Sequence, residues 1–150
     1  MCFVNNHLEP AHDAAVRAAI EGLPRGAASV ACPLTRRWGR TLSDEFKRGD
    51  CHAGRYETSL VLAQAPELVD RVAMASLPEV PVSLPKVIAA GLKDFREMGL
   101  VDAYCGAPAE ATVEEGEATY ETLVEMTVEI ARALVAGTGG RDESGLFGRV

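Results

Sequence analysis

Several features that assign a function class directly are missing from this sequence of 150 residues. Its four cysteines lie far apart and form no Cys-x-x-Cys pair, which excludes zinc-ribbon spacing and a dense disulfide framework. There is no Gly-x-x-x-x-Gly-Lys phosphate loop and no internal repeat. A Gly-x-Ser-x-Gly elbow is also missing, which argues against a serine hydrolase of that type.

Long apolar runs and excess positive charge are also missing. No run approaches the roughly 20 apolar residues that span a bilayer, and the sequence begins with no signal-peptide pattern. The formal net charge is -7, whereas nucleic-acid phosphates attract basic surfaces. We therefore expect a cytoplasmic protein with reduced thiols that binds neither nucleic acid nor membrane.

What is present is the composition of a globular protein. Hydrophobic residues make up 47% of the chain and charged residues 25%, which is typical of a folded domain rather than a disordered chain. The length suits one domain that buries about two-thirds of its unfolded surface. We predict one domain over residues 1–137 and a disordered, glycine-rich tail over residues 138–150.

Short apolar runs of strand length lie between segments with helical periodicity. The clearest helix carries Thr112 followed three residues later by Glu115, a capping-box pattern, and Gly137 ends it. The predicted elements are a buried strand ending with residues 2–4, a helix over 11–21, a buried strand over 27–33, a loop over 34–49 with a short helix near 42–47, a helix over 57–64, an irregular segment over 69–84, and helices over 85–98 and 112–136. Trp38, in the long loop, is either part of a lid or a packed surface residue.

Residues 50–59 combine a lone imidazole, His52, with a flexible Ala-Gly step, a carboxylate, Glu57, and two hydroxyls. An apolar helical run follows at once. The unpaired N–H groups and positive dipole end of a helix start favour Glu57 there, as well as any anionic ligand. The competing interpretation is an ordinary helix start with a surface His and Glu. Cys51 beside His52 also allows a cysteine nucleophile.

His7 and Glu9 alternate on an extended segment between the first strand and helix, so both side chains can point to one side. An imidazole and a carboxylate placed in this way can bind a divalent metal such as zinc or manganese. The competing interpretation is a surface turn. His12 follows one helical turn later, where we expect it to be exposed or half-buried.

Three motifs in this order resemble the creatininase family, the creatinine amidohydrolases. They are Asn-x-His-x-Glu at the first strand-to-helix turn, His-Ala-Gly-x-x-Glu-Thr-Ser followed by Leu-x-Leu and Pro-Glu-Leu-Val, and Gly-x-Pro-x-x-Ala-Thr before the last helix. The resemblance runs from about Phe3 to Val135. It covers only the C-terminal half of the family's domain.

The resemblance implies an α/β/α layered fold, commonly assembled as a hexamer, so a homo-oligomer is expected. It also implies a metal-dependent hydrolase that cleaves a C–N bond of a small cyclic amide by a water activated between two divalent ions (zinc, manganese or iron). His7 would be a metal ligand and Glu9 a ligand of the second ion. His52 would move a proton to the departing nitrogen, and Glu57 would orient His52 or hold the substrate amine.

The family's first half carries a Glu-x-His-Gly motif and a later Asp that complete the two-metal site, and the chain contains neither. We therefore expect an incomplete creatininase-like domain, a truncated chain or one that works with a separate N-terminal half. On its own it should bind divalent metal weakly and hydrolyse nothing. The alternative from another class is a non-catalytic α/β interaction subunit, an inactive remnant of the family.

Overall fold

The computed structural model describes residues 1–7 and 9–138. They form two compact units, one made of residues 1–41 together with those from 122 onward, and the other of residues 42–121. The predicted tail lies outside the described residues, apart from Thr138. The single domain over residues 1–137 stays a prediction.

Helices account for most of the regular structure, which mixes strand and helix as an α/β protein does. The layered α/β/α arrangement stays a prediction. None of the helices within the described residues is both long and apolar enough to cross a bilayer. The elements are β1 (Cys2–Val4), α1 (Pro10–Glu21), β2 (Ser29–Ala31), α2 (Arg36–Gly39), α3 (Asp44–Arg48), α4 (Arg55–Gln64), α5 (Arg71–Ser76), α6 (Leu84–Ala89) and α7 (Val113–Val135), with single turns of 3-10 helix at Pro66–Leu68 and Pro108–Glu110.

The first unit begins with a strand–helix–strand segment. Strands β1 and β2 are parallel, with Phe3 opposite Val30, and α1 connects them. Helix α1 starts with Pro10, whose missing N–H needs no partner in a first turn. Its apolar side places Ile20 against Val30 and Cys32 in one small core. The predicted strands and helix are therefore confirmed, although the second strand is shorter than expected.

The expectation that β1 is buried is wrong. Val4 is 66% exposed and Phe3 37% exposed. A strand is covered on both faces when it lies inside a larger sheet between helices. In the described part of the chain the sheet has two strands, so β1 is an edge strand. Its apolar sequence alone could not reveal this position.

Trp38 belongs to a core of the first unit. It lies in α2, is buried, and packs with Ala31 and Met126. The guanidinium of Arg37 lies 4.9 Å from the Trp38 ring centroid, within the range of a cation–π contact. The sequence allowed Trp38 to be part of a lid or a packed residue, and in the structure it is packed.

In the second unit, the short helix α3 leads through a tight turn to α4. Ser43 caps α3 by accepting a hydrogen bond from the Phe46 N–H (3.3 Å), and Gly49 ends it in the left-handed conformation (φ 80°). Phe46 and Tyr56 then pack against each other, with ring centroids 4.9 Å apart. The predicted helices near 42–47 and over 57–64 are confirmed with shifted boundaries.

Two predictions for the middle of the chain are wrong. The helix expected over residues 85–98 ends at Ala89, because the chain turns at Gly91 in the left-handed region (φ 91°). The segment expected to be irregular contains α5, whose first N–H groups are capped by Asp70. In the first case a glycine outweighs the apolar spacing on which the prediction rested, and in the second a local cap forms a short helix where periodicity is weak.

Helix α7 follows its prediction closely. The Thr112 hydroxyl accepts a hydrogen bond from the Glu115 N–H (3.0 Å), which is one of the two bonds of a capping box, while the Thr112 N–H donates to the Ser59 hydroxyl instead (3.1 Å). Gly137 follows the helix in the left-handed conformation (φ 70°). Near its start α7 approaches α4 closely at Gly116, where an added Cβ would lie 2.6 Å from the Ser59 carbonyl carbon and 2.8 Å from Ala63 Cβ.

Replacement of Gly116 by alanine should therefore destabilise the protein, although alanine favours helix by about 1 kcal/mol over glycine. We expect a net loss of about 1–3 kcal/mol in the free energy of unfolding, because the backbone at Ser59 cannot move aside easily. Urea unfolding measures it. Gly22→Ala is the matched control, since nothing lies within 4 Å of the added Cβ. Equal effects of the two substitutions would contradict the close approach.

Candidate active site

The turn that carries His52 leads directly into helix α4. Ala53 adopts the left-handed region (φ 47°), and Gly54 is the N-cap of α4 in an extended conformation, without a side chain to cap the helix. A Cβ on Gly54 would lie 2.5 Å from the Cys105 carbonyl oxygen and 2.7 Å from Glu45 Oε1. Position 54 therefore has no room for any side chain, so it requires glycine.

The His52 side chain is accessible while its backbone is held. The His52 carbonyl accepts a hydrogen bond from the Cys105 N–H at 2.9 Å. Its ring packs against Phe95, with centroids 4.8 Å apart, and 36% of its side chain is exposed. An imidazole that is anchored by its main chain and open on one side can exchange protons with a bound molecule.

Glu57 lies beside His52, so the structure brings these two predicted residues together. Glu57 Oε2 is 3.7 Å from His52 Nδ1, too long for a direct hydrogen bond but within reach of an ion pair when the imidazole is protonated. The same oxygen accepts a hydrogen bond from the Ala53 N–H at 2.7 Å. Glu57 therefore ties the turn to the first turn of α4 and faces the imidazole.

A third residue, Glu45 of α3, was not found by sequence reasoning. Its carboxylate is 1% exposed and accepts hydrogen bonds from three backbone N–H groups. These are Arg55 (3.1 Å) and Ala107 (2.8 Å) on Oε2, and Tyr56 (2.9 Å) on Oε1. The only sequence signal was indirect: a helix whose N-cap is glycine needs another group to accept its first N–H bonds.

Glu45 also corrects the expectation that the start of α4 offers its N–H groups to an anionic ligand. The N–H groups of Arg55 and Tyr56 are already bound to this internal carboxylate. Burial raises the pKa of Glu45, and the three backbone hydrogen bonds oppose that rise only in part. The nearby charge of Asp50 also raises the pKa of Glu45.

The cysteines offer no nucleophile at this site. All four are free, and Cys51 and Cys105 are buried. Burial raises the pKa of the Cys51 thiol well above its ordinary value and raises the pKa of Cys105 to about 11. The thiolate is the reactive form, so Cys51 is a poor nucleophile despite its position next to His52.

His7 and Glu9 lie in the first unit. His7 is exposed, and its ring meets that of His12 edge to face with centroids 5.0 Å apart. Glu9 is the N-cap of α1, where Oε1 accepts from the Ala11 N–H (3.1 Å) and Oε2 from the His12 N–H (2.7 Å). His12 is exposed, as expected. Both oxygens of Glu9 thus serve helix α1.

The side chains available do not by themselves fit a metal centre. A catalytic zinc ion usually has three protein ligands. Within residues 1–7 and 9–138, no group of three or more His, Cys, Asp or Glu side chains is arranged to hold a metal ion. The roles of His7 and Glu9 as metal ligands, and of His52 and Glu57 in catalysis, stay predictions.

Comparison with known proteins agrees with the motifs. The family model Creatininase, described as creatinine amidohydrolase, matches residues 1–131, which include both His7–Glu9 and His52–Glu57. The chain therefore belongs to the creatininase family. Neither the curated proteins nor the solved structures gave a match.

The Cys51 thiol should resist alkylation in the folded protein, because burial shields it and its raised pKa keeps it protonated. Treatment with iodoacetamide at neutral pH followed by peptide mass mapping should show the half-buried Cys2 modified first. The same reaction in urea, where all four thiols are accessible, is the control. Native modification of Cys51 at the unfolded rate would contradict its assignment as an inert thiol.

Replacement of Glu45 by glutamine should cost about 1–3 kcal/mol of unfolding free energy, since the amide nitrogen cannot accept an N–H bond, whereas both oxygens of a carboxyl group can, protonated or not. The cost should depend on pH. The folded-state pKa of Glu45 is raised above its ordinary 4.5, so the stability that wild type gains from this group is fully present below 4.5 and declines as pH rises through the folded-state pKa.

Urea titrations of wild type and Glu45→Gln at a series of pH values test this. The stability difference between the two proteins should shrink as pH rises from the ordinary carboxyl range towards neutrality. Glu117→Gln, at an exposed position of α7, is the matched control and should change the stability little. A stability difference between wild type and Glu45→Gln that grows with rising pH would contradict a raised folded-state pKa of Glu45.

Proposed function

We propose that this chain provides the proton-transfer part of a creatininase-type amidohydrolase, which cleaves a C–N bond in a small cyclic amide. Membership of the creatininase family supports the reaction class. The observation that carries the proposal within the molecule is the pairing of His52, open on one side, with Glu57 at 3.7 Å from its Nδ1. Catalytic imidazoles commonly have such a carboxylate partner.

In the proposed reaction, the oxygen of water bonds to the amide carbon while His52 accepts one of the water protons. The C–N bond then breaks, and His52 passes that proton to the departing nitrogen, which leaves a carboxyl group and an amine. Glu57 faces Nδ1, so Nε2 is the nitrogen that exchanges the proton with the substrate. The negative charge of Glu57 stabilises the imidazolium while the proton is on His52. Glu57 is itself oriented by the Ala53 N–H, which keeps it beside the imidazole.

We also propose that His7 and Glu9 contribute to a site for divalent zinc, manganese or iron, since members of this family typically bind divalent metals. The two side chains are too few for such a site, which agrees with the lack of a ligand cluster among the described residues. The remaining ligands would come from outside these residues, in a cytoplasmic homo-oligomer or from a separate N-terminal half.

A non-catalytic interaction subunit is the second candidate. The specific observation that favours it is the capping role of Glu9, whose two carboxylate oxygens both accept N–H bonds of α1. A carboxylate used in this way is structural. If that is its whole role, the fold has been kept without the metal chemistry.

Metal analysis of the protein purified from its native source separates the two candidates. If the protein is the enzyme, the analysis should find two ions per complete site, and the protein should hydrolyse cyclic amides.

His52→Ala should lower that hydrolysis by about 10²-fold or more with the metal content unchanged, because it removes only the proton-transfer group. His7→Ala should lower the metal content, and His12→Ala, at the neighbouring exposed histidine, is the control for both. A metal-free native protein would overturn the enzyme proposal.

The isolated chain provides a further check. Isothermal titration with zinc or manganese should give only weak binding, and no cyclic amide should be hydrolysed. Sub-micromolar affinity for either ion would contradict the claim that the ligand set is incomplete.

A further inference from the structure

The chain around His52 is held by one buried side chain from another helix. Glu45 comes from α3, yet its carboxylate binds the first two N–H groups of α4, at Arg55 and Tyr56. Its third bond, from the Ala107 N–H, reaches a segment about fifty residues further along the chain. The carboxylate therefore connects α3 to two other stretches of backbone.

Two glycines leave room for this carboxylate. A Cβ on Gly54 would lie 2.7 Å from Glu45 Oε1, and a Cβ on Gly106 would overlap with Glu45 Oε2 and the Asp50 carbonyl oxygen. Gly106 also has a left-handed backbone (φ 91°) that other residues rarely adopt. The surrounding backbone therefore encloses the carboxylate closely, and a displaced carboxylate would have to move the chain.

The segments that Glu45 binds also hold the proposed catalytic pair, His52 and Glu57. The residue before Gly106 is Cys105, whose N–H binds the His52 carbonyl at 2.9 Å. On the other side, α4 carries Glu57, whose carboxylate binds the Ala53 N–H. Glu45 thus holds both the segment that anchors the backbone of His52 and the helix start that carries Glu57.

We propose that Glu45 is the positioning residue for the His52–Glu57 pair: it sets the distance between imidazole and carboxylate by bonding to the α4 N-terminus and to Ala107. This inference deepens the proposed function and takes its catalytic meaning from it. Glu45 does not touch the reacting atoms. It acts through the backbone, so its effect should be visible in the structure of the site without any substrate.

Nuclear magnetic resonance on the full chain tests this. The sequence has three histidines, so the His52 ring signal is readily assigned with His52→Ala. In Glu45→Gln, which has the same shape, the His52 ring signal should move while those of His7 and His12 stay in place. The Ala53 amide, which Glu57 binds, should exchange with solvent about tenfold faster, as expected for the loss of an ordinary hydrogen bond.

Asp70→Ala is the matched control, because it removes a carboxylate cap from α5 in the same unit. It should lower stability without moving the His52 signal or the Ala53 exchange rate, which separates positioning from general destabilisation. Glu45→Asp keeps the carboxyl group but shortens its reach, and should shift both signals in the same way as Glu45→Gln. Either folded Glu45 variant with both signals unchanged would overturn the inference.

If neither Glu45 variant folds, native-state hydrogen exchange of the wild type decides the matter. The Arg55, Tyr56 and Ala107 amides should open together, as one cooperative group, in mild denaturant. An Ala107 amide that exchanges through a separate, easier opening would overturn the inference. None of these measurements requires hydrolysis, so a failed amidohydrolase assay and a failed positioning test are independent results.

Discussion

The start of helix α4 depends on the buried carboxylate of Glu45, which accepts hydrogen bonds from three backbone N–H groups. Burying Glu45 is costly, since burial disfavours its charge and raises its pKa. The bonds from Arg55, Tyr56 and Ala107 offset that cost and give otherwise unpaired N–H groups a partner. A buried acid and an uncapped helix start are each unfavourable alone, and here they stabilise each other.

This arrangement places two carboxylates near one helix start in different surroundings. Glu45 is enclosed by backbone, whereas 31% of the Glu57 side chain is exposed and it faces His52. Environment commonly assigns different roles to neighbouring acids. Here the inner acid organises the chain, and the outer one is free to pair with a protonated imidazole. The buried Cys51 has no comparable access.

Local sequence rules worked where a single residue type decides the structure. The capping threonine of α7 and the proline at the start of α1 marked helix boundaries correctly, because each satisfies or removes particular N–H groups. The sequence rules failed where the structure depends on neighbouring strands and helices. The apolar residues of β1 resemble a buried strand, yet Val4 is exposed, because burial depends on which strands and helices cover a sheet.

The sequence by itself determined the family, through ordered motifs that the family match supports. It named Glu57 as a residue that would orient His52 or hold the substrate amine, and the structure places its carboxylate 3.7 Å from His52 Nδ1. These two residues lie close together in the chain, where spacing limits the geometry. Only the tertiary structure decided that Glu45 fills the start of α4 and that Glu9 caps α1. Nothing in an isolated Ser-Asp-Glu helix start marks its glutamate as buried. Its partners lie up to 62 residues away, and only the folded backbone brings their N–H groups to it.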